Sequence, residues 1–487
     1  MPAKGDVVTA VADRPESPAP EPAGRGALAT RGPTEHQWHV DPVPPRGRIL
    51  AGIDAGVLWT SLGLSLLGLV LATSFVPALG FRRAVLAAVV GSAVGAALLG
   101  LLAVPGAQTG EPAMVLLRRV LGGRGSVAPT VANVVQNVGF AAFELFVIAA
   151  AAQVLSQRAF GARSRVGWVV AVGLGVTLLA ALGPLTVVRR YLKTVVLWAV
   201  LATSVVLTVY ALTRPGLPAA LRAPGTGPTT VAGGIDLAVA LAVSWVPLAA
   251  DYSRFGSRPV ATGVGTGVGF FLAQASYLVL GMVLVLATGV TGDTAAFAGA
   301  VLAAPAGLLL LGVLVVAESD KVFANVYSTA VSAQNLLPRL PGRALTVAIG
   351  LGATLLAALV ADLTTFTAFV TVVGSVFVPL TGVFLARWFL LRRRTAPAGV
   401  AVDAMVIWVL GSCLYNAISP GSWAPWRSVV TGVVGTPLGE RWTWLGASGP
   451  TLLATTLLMT AVGWRARARG GEATVDSDRR GPSVLPA

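Results

Sequence analysis

Between Ile53 and Trp464 the chain is a succession of apolar runs, and this repeated loss of charge constrains the fold more than any motif. Twelve such runs fall at roughly 53–78, 84–104, 128–155, 166–184, 192–213, 235–253, 263–288, 301–335, 344–361, 365–391, 402–418 and 446–464, each near the length of a bilayer-crossing helix. With no water in hydrocarbon to satisfy backbone groups, repeated runs of this length must be helical. The sequence therefore reads as an all-α integral membrane protein with twelve transmembrane helices. Composition agrees: at 55% hydrophobic and 11% charged, 487 residues have too little polar surface for a water-soluble globule.

The net charge of +15 would suit a nucleic-acid partner, but the arginines lie in tails and short loops between apolar runs, so no nucleic acid is expected. Loops after even-numbered runs carry Arg118, Arg119, Arg124, Arg189, Arg190, Lys193, Arg254, Arg258, Arg339, Arg343 and Arg392 to Arg394, and odd-numbered loops carry fewer. By the positive-inside rule both termini are cytoplasmic in a multi-pass plasma-membrane protein. Trp423, Trp426, Trp442 and Trp444 bracket the loop after the eleventh run, as in an outer interfacial belt. Residues 1–48 are rich in Pro, Ala and Gly, lack an apolar run or a signal-peptide pattern, and read as a disordered cytoplasmic tail; 466–487 read as a second tail. The only histidines, His36 and His39, fall in the first tail, where a solvated segment is a better reading than a metal site. The single cysteine, Cys413, excludes an intrachain disulfide and reads as a packing residue.

The most informative run is 235–258, IDLAVALAVSWVPLAADYSRFGSRP. Pro247 lacks an amide hydrogen and its ring crowds the carbonyl of Val243, so the helix is expected to break beside Ser244 and Trp245, near mid-depth. Non-helical backbone survives there only where protein or a cavity covers it. A hydroxyl, an aromatic face and free backbone groups suit a small planar polar ligand. A proline-kinked helix with Trp245 used in packing fits this stretch equally well. Asp251 and Arg254, three residues apart at the end of the run, can pair with each other or with the basic loops, and read as a gate.

The words PLAADYSRFG, Pro247 to Gly256, resemble the signature of the purine-cytosine permeases, the nucleobase-cation symporter family that includes hydantoin, allantoin and thiamine carriers. The resemblance runs from about Gly52 to the end of the tenth run and extends less clearly to the last two. It implies a LeuT-type five-plus-five inverted repeat with discontinuous helices 1 and 6, a ten-helix core over 49–394 and two additional helices over 395–465. In the first run, Ser61, Gly63, Ser65 and Gly68 mark either the second broken helix or close helix packing.

In the third run Asn133, Asn137, Phe140 and Glu144 share a helical face, and a carboxylate so deep normally faces a cavity or a bundle interior. The stretch is similar to a family pattern in which an amide precedes Gly-Trp by two residues. That likeness implies that Asn137 bonds the base, that Phe140 is a reduced stacking platform, and that Glu144 reaches the ligand. In the eighth run Glu318, Ser319, Asp320 and Lys321 interrupt the apolar residues, and buried charges must neutralise one another or meet water. Phe323 to Asn335 resembles the family's eighth helix; this implies a ligand contact at Asn325 and places Ser319 and Asp320 where sodium-coupled relatives have small hydroxyl residues. Lys321 departs from those relatives, and its ammonium would replace the cation, with Glu318, Asp320 and Lys321 coupling transport to protons. Because adjacent helical residues point about 100° apart, Lys321 could instead turn away and leave a sodium site at Ser319 and Asp320. In the tenth run Arg387 stands where relatives usually have an aspartate, and Arg387 to Arg394 read as a cytoplasmic anchor.

GVGTGVG, Gly263 to Gly269, looks like a dinucleotide loop but opens an apolar run with no strand before it, so helix packing is expected. No Walker A sequence exists, and no cofactor is expected beyond a coupling ion, H+ or Na+. The function expected is a symporter importing a nucleobase or related nitrogen heterocycle of the cytosine or purine type by alternating access, with protons. The alternative is a sodium-coupled carrier of hydantoin, allantoin or a thiamine-precursor pyrimidine. A membrane-embedded enzyme using Glu144, Glu318 or Asp320 fits less well, since no span holds a histidine or a nucleophile–base pair.

Overall fold

The computed structural model describes residues 40–182, 195–290, 294–359, 365–392, 399–421 and 423–479, with side chains as far as 468. His36, His39, Arg189, Arg190, Lys193, Arg393 and Arg394 lie outside the described residues, as does most of the N-terminal tail. Helix occurs in each of the twelve apolar runs, and among the described residues no strand forms beyond one isolated bridge between Leu50 and Gly256. The helices in chain order are α1 (Gly52–Gly63), α2 (Leu66–Leu71), α3 (Phe81–Thr109), α4 (Ala113–Leu121), α5 (Val127–Phe160), α6 (Arg165–Leu182), α7 (Leu197–Leu212), α8 (Leu217–Arg222), α9 (Val231–Val243) and α10 (Val246–Ser253). They continue with α11 (Pro259–Thr288), α12 (Thr294–Leu302), α13 (Gly307–Leu336), α14 (Gly342–Leu359), α15 (Phe366–Leu385), α16 (Val402–Ile418), α17 (Ala424–Val434), α18 (Leu438–Arg441) and α19 (Ser448–Arg479).

Among the described residues six helical stretches, Val231–Ser253 among them, are long and apolar enough to cross a membrane on length and composition alone, and the bent pair α1 and α2 makes a seventh. Three shorter apolar helices, Arg165–Ala181, Leu197–Leu212 and Val402–Ile418, fall in expected spans. α13 is 30 residues long and differs by carrying Glu318, Asp320 and Lys321 near its middle. The eighth run was expected to be continuous from 301; instead α12 ends at Leu302 and α13 begins at Gly307. Pro305 has no amide hydrogen to continue the ladder, and Ala306 adopts a left-handed φ of 55°. At the other end, helix α19 runs through the start of the expected tail at 466 to Arg479.

Glycine lets the spans approach closely. A Cβ on Gly265 would come within 2.0 Å of the Gly52 carbonyl oxygen and one on Gly269 within 2.3 Å of that of Gly56, so α11 lies backbone-to-backbone on α1. Gly263 meets Gly100 of α3 in the same way, at 2.8 Å. GVGTGVG is thus a packing stripe. Ahead of α1, Arg48 donates to the carbonyls of Ala107, Gln108 and Thr109 at the end of α3, satisfying groups the helix leaves open. Leu50 exchanges backbone bonds with Phe255 and Ser257, 2.8 and 2.9 Å, which ties this segment to the chain just past α10. Cys413, expected in packing, is exposed on α16. Trp423, Trp426, Trp442 and Trp444 are exposed around α17 and α18.

Candidate functional site

The site is built on two interruptions. In the first span, α1 and α2 meet at 53° across Leu64 and Ser65, where glycine at 63 and serine at 65 give little reason to continue the helix. The free amides that open α2 are covered from another helix: Glu318 of α13 accepts from Leu66 N at 2.7 Å, Leu67 N at 3.2 Å and Ser65 Oγ at 2.6 Å. One turn earlier on α1, Ser61 Oγ donates to Asp320 at 2.8 Å. Lys321 then closes the group, with its Nζ 2.8 Å from Asp320, 3.8 Å from Glu318 and donating to the Ala317 carbonyl at 3.0 Å. Lys321 and Glu318 are each 1% exposed, so the ammonium faces both carboxyls out of water instead of turning away. Ser319 is half-buried and its Oγ bonds back to Val315.

In the sixth span, α9 and α10 are separated by a single turn at Ser244 and Trp245. The break is milder than expected. Trp245 N bonds Ala242 and Leu248 N bonds Trp245, so the ladder tightens to three-residue spacing and does not unwind. The carbonyl taken up by another helix belongs to Ser244, which accepts from Gln136 Nε2 of α5 at 3.0 Å. The Ser244 hydroxyl is spent within its own helix on Leu241, 2.7 Å.

A cavity of about 30 Å³ lies between the two interruptions. Leu62, Gly63, Ser65, Leu67 and Gly68 line it from the first span, Phe140 and Glu144 from α5, Leu241 and Trp245 from the sixth, and Phe270, Gln274, Tyr277 and Leu278 from α11. Of the residues singled out in the sequence as ligand contacts, Phe140, Glu144 and Trp245 line it directly. Asn325 stands one bond behind, donating to Glu144 Oε2 at 2.9 Å. Asn137 and Ser244 are buried outside its lining; Asn137 accepts from Gln136 and keeps a partnerless Nδ2. Gly139 leaves room for α15, since a Cβ there would lie 2.6 Å from the Phe369 ring, and Phe140 packs edge-on against Phe366 and Phe369.

Sequence reasoning missed several participants. Trp59 of α1 packs edge-on against Trp245, Tyr252 and Phe270, all at 6.0 Å between ring centroids, and so holds the sixth span's tryptophan in place. Gln274 is a lone amide in FFLAQASY, and its polarity inside a long apolar run was the signal that could have found it. Ser61 and Ser65, read as marking either a broken helix or close packing, are also partners of the acidic cluster.

At the far end of α10, Asp251 and Arg254 are both buried and each reaches a different helix. Asp251 accepts from Ala113 N at the start of α4, 2.9 Å, and Arg254 donates to the Tyr327 hydroxyl of α13, also 2.9 Å. The basic residue Arg387, read with the residues to Arg394 as a cytoplasmic anchor, is buried. It donates to the Val120 carbonyl of α4 at 2.5 Å and to both oxygens of Asp403 at 2.6 Å, because a carboxylate on α16 and an open helix-end carbonyl offer partners that a headgroup would otherwise supply. Among the described residues no cluster of three His, Cys, Asp or Glu side chains is arranged to hold a metal ion. Asp320, which with Ser319 formed the alternative sodium site, is engaged by Ser61 and Lys321.

Comparison with known proteins places this geometry. The model of a family described as permease for cytosine/purines, uracil, thiamine, allantoin matches residues 42–439. Among solved structures, Mhp1, a nucleobase-cation-symport-1 family transporter closed on bromovinylhydantoin, superposes with a TM-score of 0.70 at 15% identity, covering 88% of this chain and 95% of that one. Its inward-facing conformation gives 0.69 at 15% identity, over 88% and 93%. A Na+-coupled sialic acid symporter in a substrate-bound outward-open state gives 0.60 at 14% identity, over 94% of each chain. No curated protein sequence matches the chain. The shared fold is the all-helical LeuT-type arrangement with interrupted first and sixth spans.

Proposed function

Since the chain belongs to the permease family for cytosine/purines, uracil, thiamine and allantoin, and is therefore a multi-pass membrane transporter, we propose that it imports a nucleobase or related nitrogen heterocycle in symport with protons. The ligand stacks on Phe140 or Trp245 and takes its polar contacts from the cavity, with Asn325 setting the position of Glu144. Both termini face the cytoplasm of the plasma membrane, as the arginine-rich loops favour.

The observation that carries proton coupling is Lys321, set between Glu318 and Asp320 against the break in the first span. A cation placed there would meet the ammonium; two unit charges about 4 Å apart repel by roughly 4 kcal/mol at an effective dielectric of 20. One ammonium also leaves the group short of balance, because Glu318 and Asp320 share it and Glu144 adds a third carboxyl. A buried excess of negative charge has to be neutralised, and a proton does so without adding bulk. Taking up and releasing that proton changes what the first span is held by, which is how the charge state is tied to opening.

Uptake of a labelled heterocycle into proteoliposomes tests this. Accumulation should follow an inward pH gradient without sodium. The rival reading is a sodium-driven carrier of hydantoin, allantoin or a thiamine-precursor pyrimidine, and strict sodium dependence with no response to pH would establish it in place of proton coupling.

A further inference from the structure

We propose that Gln274 reads an N–H donor on the transported ring, so that the site selects heterocycles bearing an exocyclic amino group over counterparts with a carbonyl at that position. This rests on the heterocycle-carrier reading above and names the substrate class within it. Gln274 lies on α11, is 3% exposed and lines the cavity together with Glu144, Phe140 and Trp245. Its Nε2 donates to Ser92 Oγ of α3 at 2.9 Å and to the Ala238 carbonyl of α9 at 3.0 Å. A backbone carbonyl only accepts, so the amide atom facing Ala238 has to be the nitrogen, which fixes the orientation of the group. Both Nε2 hydrogens are then spent. Oε1 is left buried with no donor from the protein, a costly condition that a donor arriving through the cavity relieves.

The rest of the polar lining points the same way. Ser65 gives its hydrogen to Glu318, and the Tyr277 hydroxyl accepts from Ser204. Glu144 contributes carboxyl oxygens, one of which is held by Asn325. Donors in the lining are therefore confined to the Trp245 indole, the Tyr277 hydroxyl and a protonated Glu144, and the polar atom left without a partner, Gln274 Oε1, is an acceptor. An amino group brings two hydrogens on one nitrogen to such a surface, whereas a carbonyl would set its lone pairs against Gln274 Oε1. Discrimination of this kind is strong because the rejected ligand leaves a buried polar group unpaired.

Equilibrium binding of cytosine against uracil, and of adenine against hypoxanthine, to the purified full chain is the test. The amino member of at least one pair should bind at least tenfold more tightly, roughly the effect of one buried hydrogen bond. The dimethylamino analogue of cytosine or adenine, which keeps the ring and removes both hydrogens, should lose that advantage. Gln274→Met keeps the length and removes the acceptor; its preference should fall to within about threefold through weaker binding of the amino compound. Thermal melting shows whether the variant is folded, and if it is not, the dimethylamino analogues on the wild-type protein carry the test alone. Equal or tighter binding of the carbonyl member, or an unchanged preference in folded Gln274→Met, overturns the inference. Binding of hydantoin or allantoin without the amino compounds overturns it while leaving the carrier reading intact. Absence of binding by any of these heterocycles overturns both.

Discussion

Lys321 shows how much one side chain decides. It is the only described basic residue within reach of Glu318 and Asp320, and it is buried with them. Lys321→Ala would leave two carboxyls facing each other and the first-span break without a counter-charge. Breaking a buried pair in this way costs about 3–5 kcal/mol, so the variant should melt well below the wild type at neutral pH. The sign with pH follows from the chemistry. Acid protonates the stranded carboxyls and removes the uncompensated charge, so the deficit should shrink as pH falls, and a deficit independent of pH would show that the ammonium is not what balances them. The charges themselves were legible in the sequence, because nothing hides Glu-Ser-Asp-Lys in an apolar run. Their partners were not: Ser61 and Ser65 are 259 and 253 residues away from the carboxylates they bind, and a serine in a membrane helix reads equally as packing.

Among the helices, the interruptions were readable and their character was not. Gly63 and Ser65 announce low helix propensity, but the 53° bend depends on Glu318 capping the amides of a different helix, which no local pattern records. Pro247 announces a break beside Ser244, yet the chain closes most of it with a three-residue turn and hands only the Ser244 carbonyl to Gln136. The short helix α4 had no part in the sequence reading because it is amphipathic and too short to span. It is nonetheless where the elements meet: Asp251 caps its first amide, Arg118 donates to Asn335 at the end of α13, and Arg387 of the tenth span holds the Val120 carbonyl. An element tied at both ends to different spans moves when they move. Asp251→Ala removes a cap, at roughly 0.5–2 kcal/mol, and Arg254→Ala removes the link from α10 to Tyr327. Both should slow transport more than they weaken equilibrium ligand binding, since neither residue lines the cavity. Equal losses of rate and affinity would remove Asp251 and Arg254 from a gating role.

For the molecule as a whole, the cavity is the limiting fact. At about 30 Å³ it has room for roughly two waters. Its lining residues Phe140, Glu144, Trp245, Phe270, Gln274 and Tyr277 are all buried, so a heterocycle reaches it only when the spans part. A carrier parts them on one face at a time; a channel leaves both open. Cys413 is the single cysteine, so Cys413→Ser gives a thiol-free background. In it, Leu67→Cys places a thiol on the cavity lining of α2. A membrane-impermeant thiol reagent should label that position from either face of reconstituted vesicles, and bound heterocycle should protect it. An inward pH gradient should speed labelling from one face and slow it from the other, because proton binding and release bias the same equilibrium in opposite directions. If the gradient instead changed both rates together, alternation would fail as the mechanism even where uptake itself is proton-dependent.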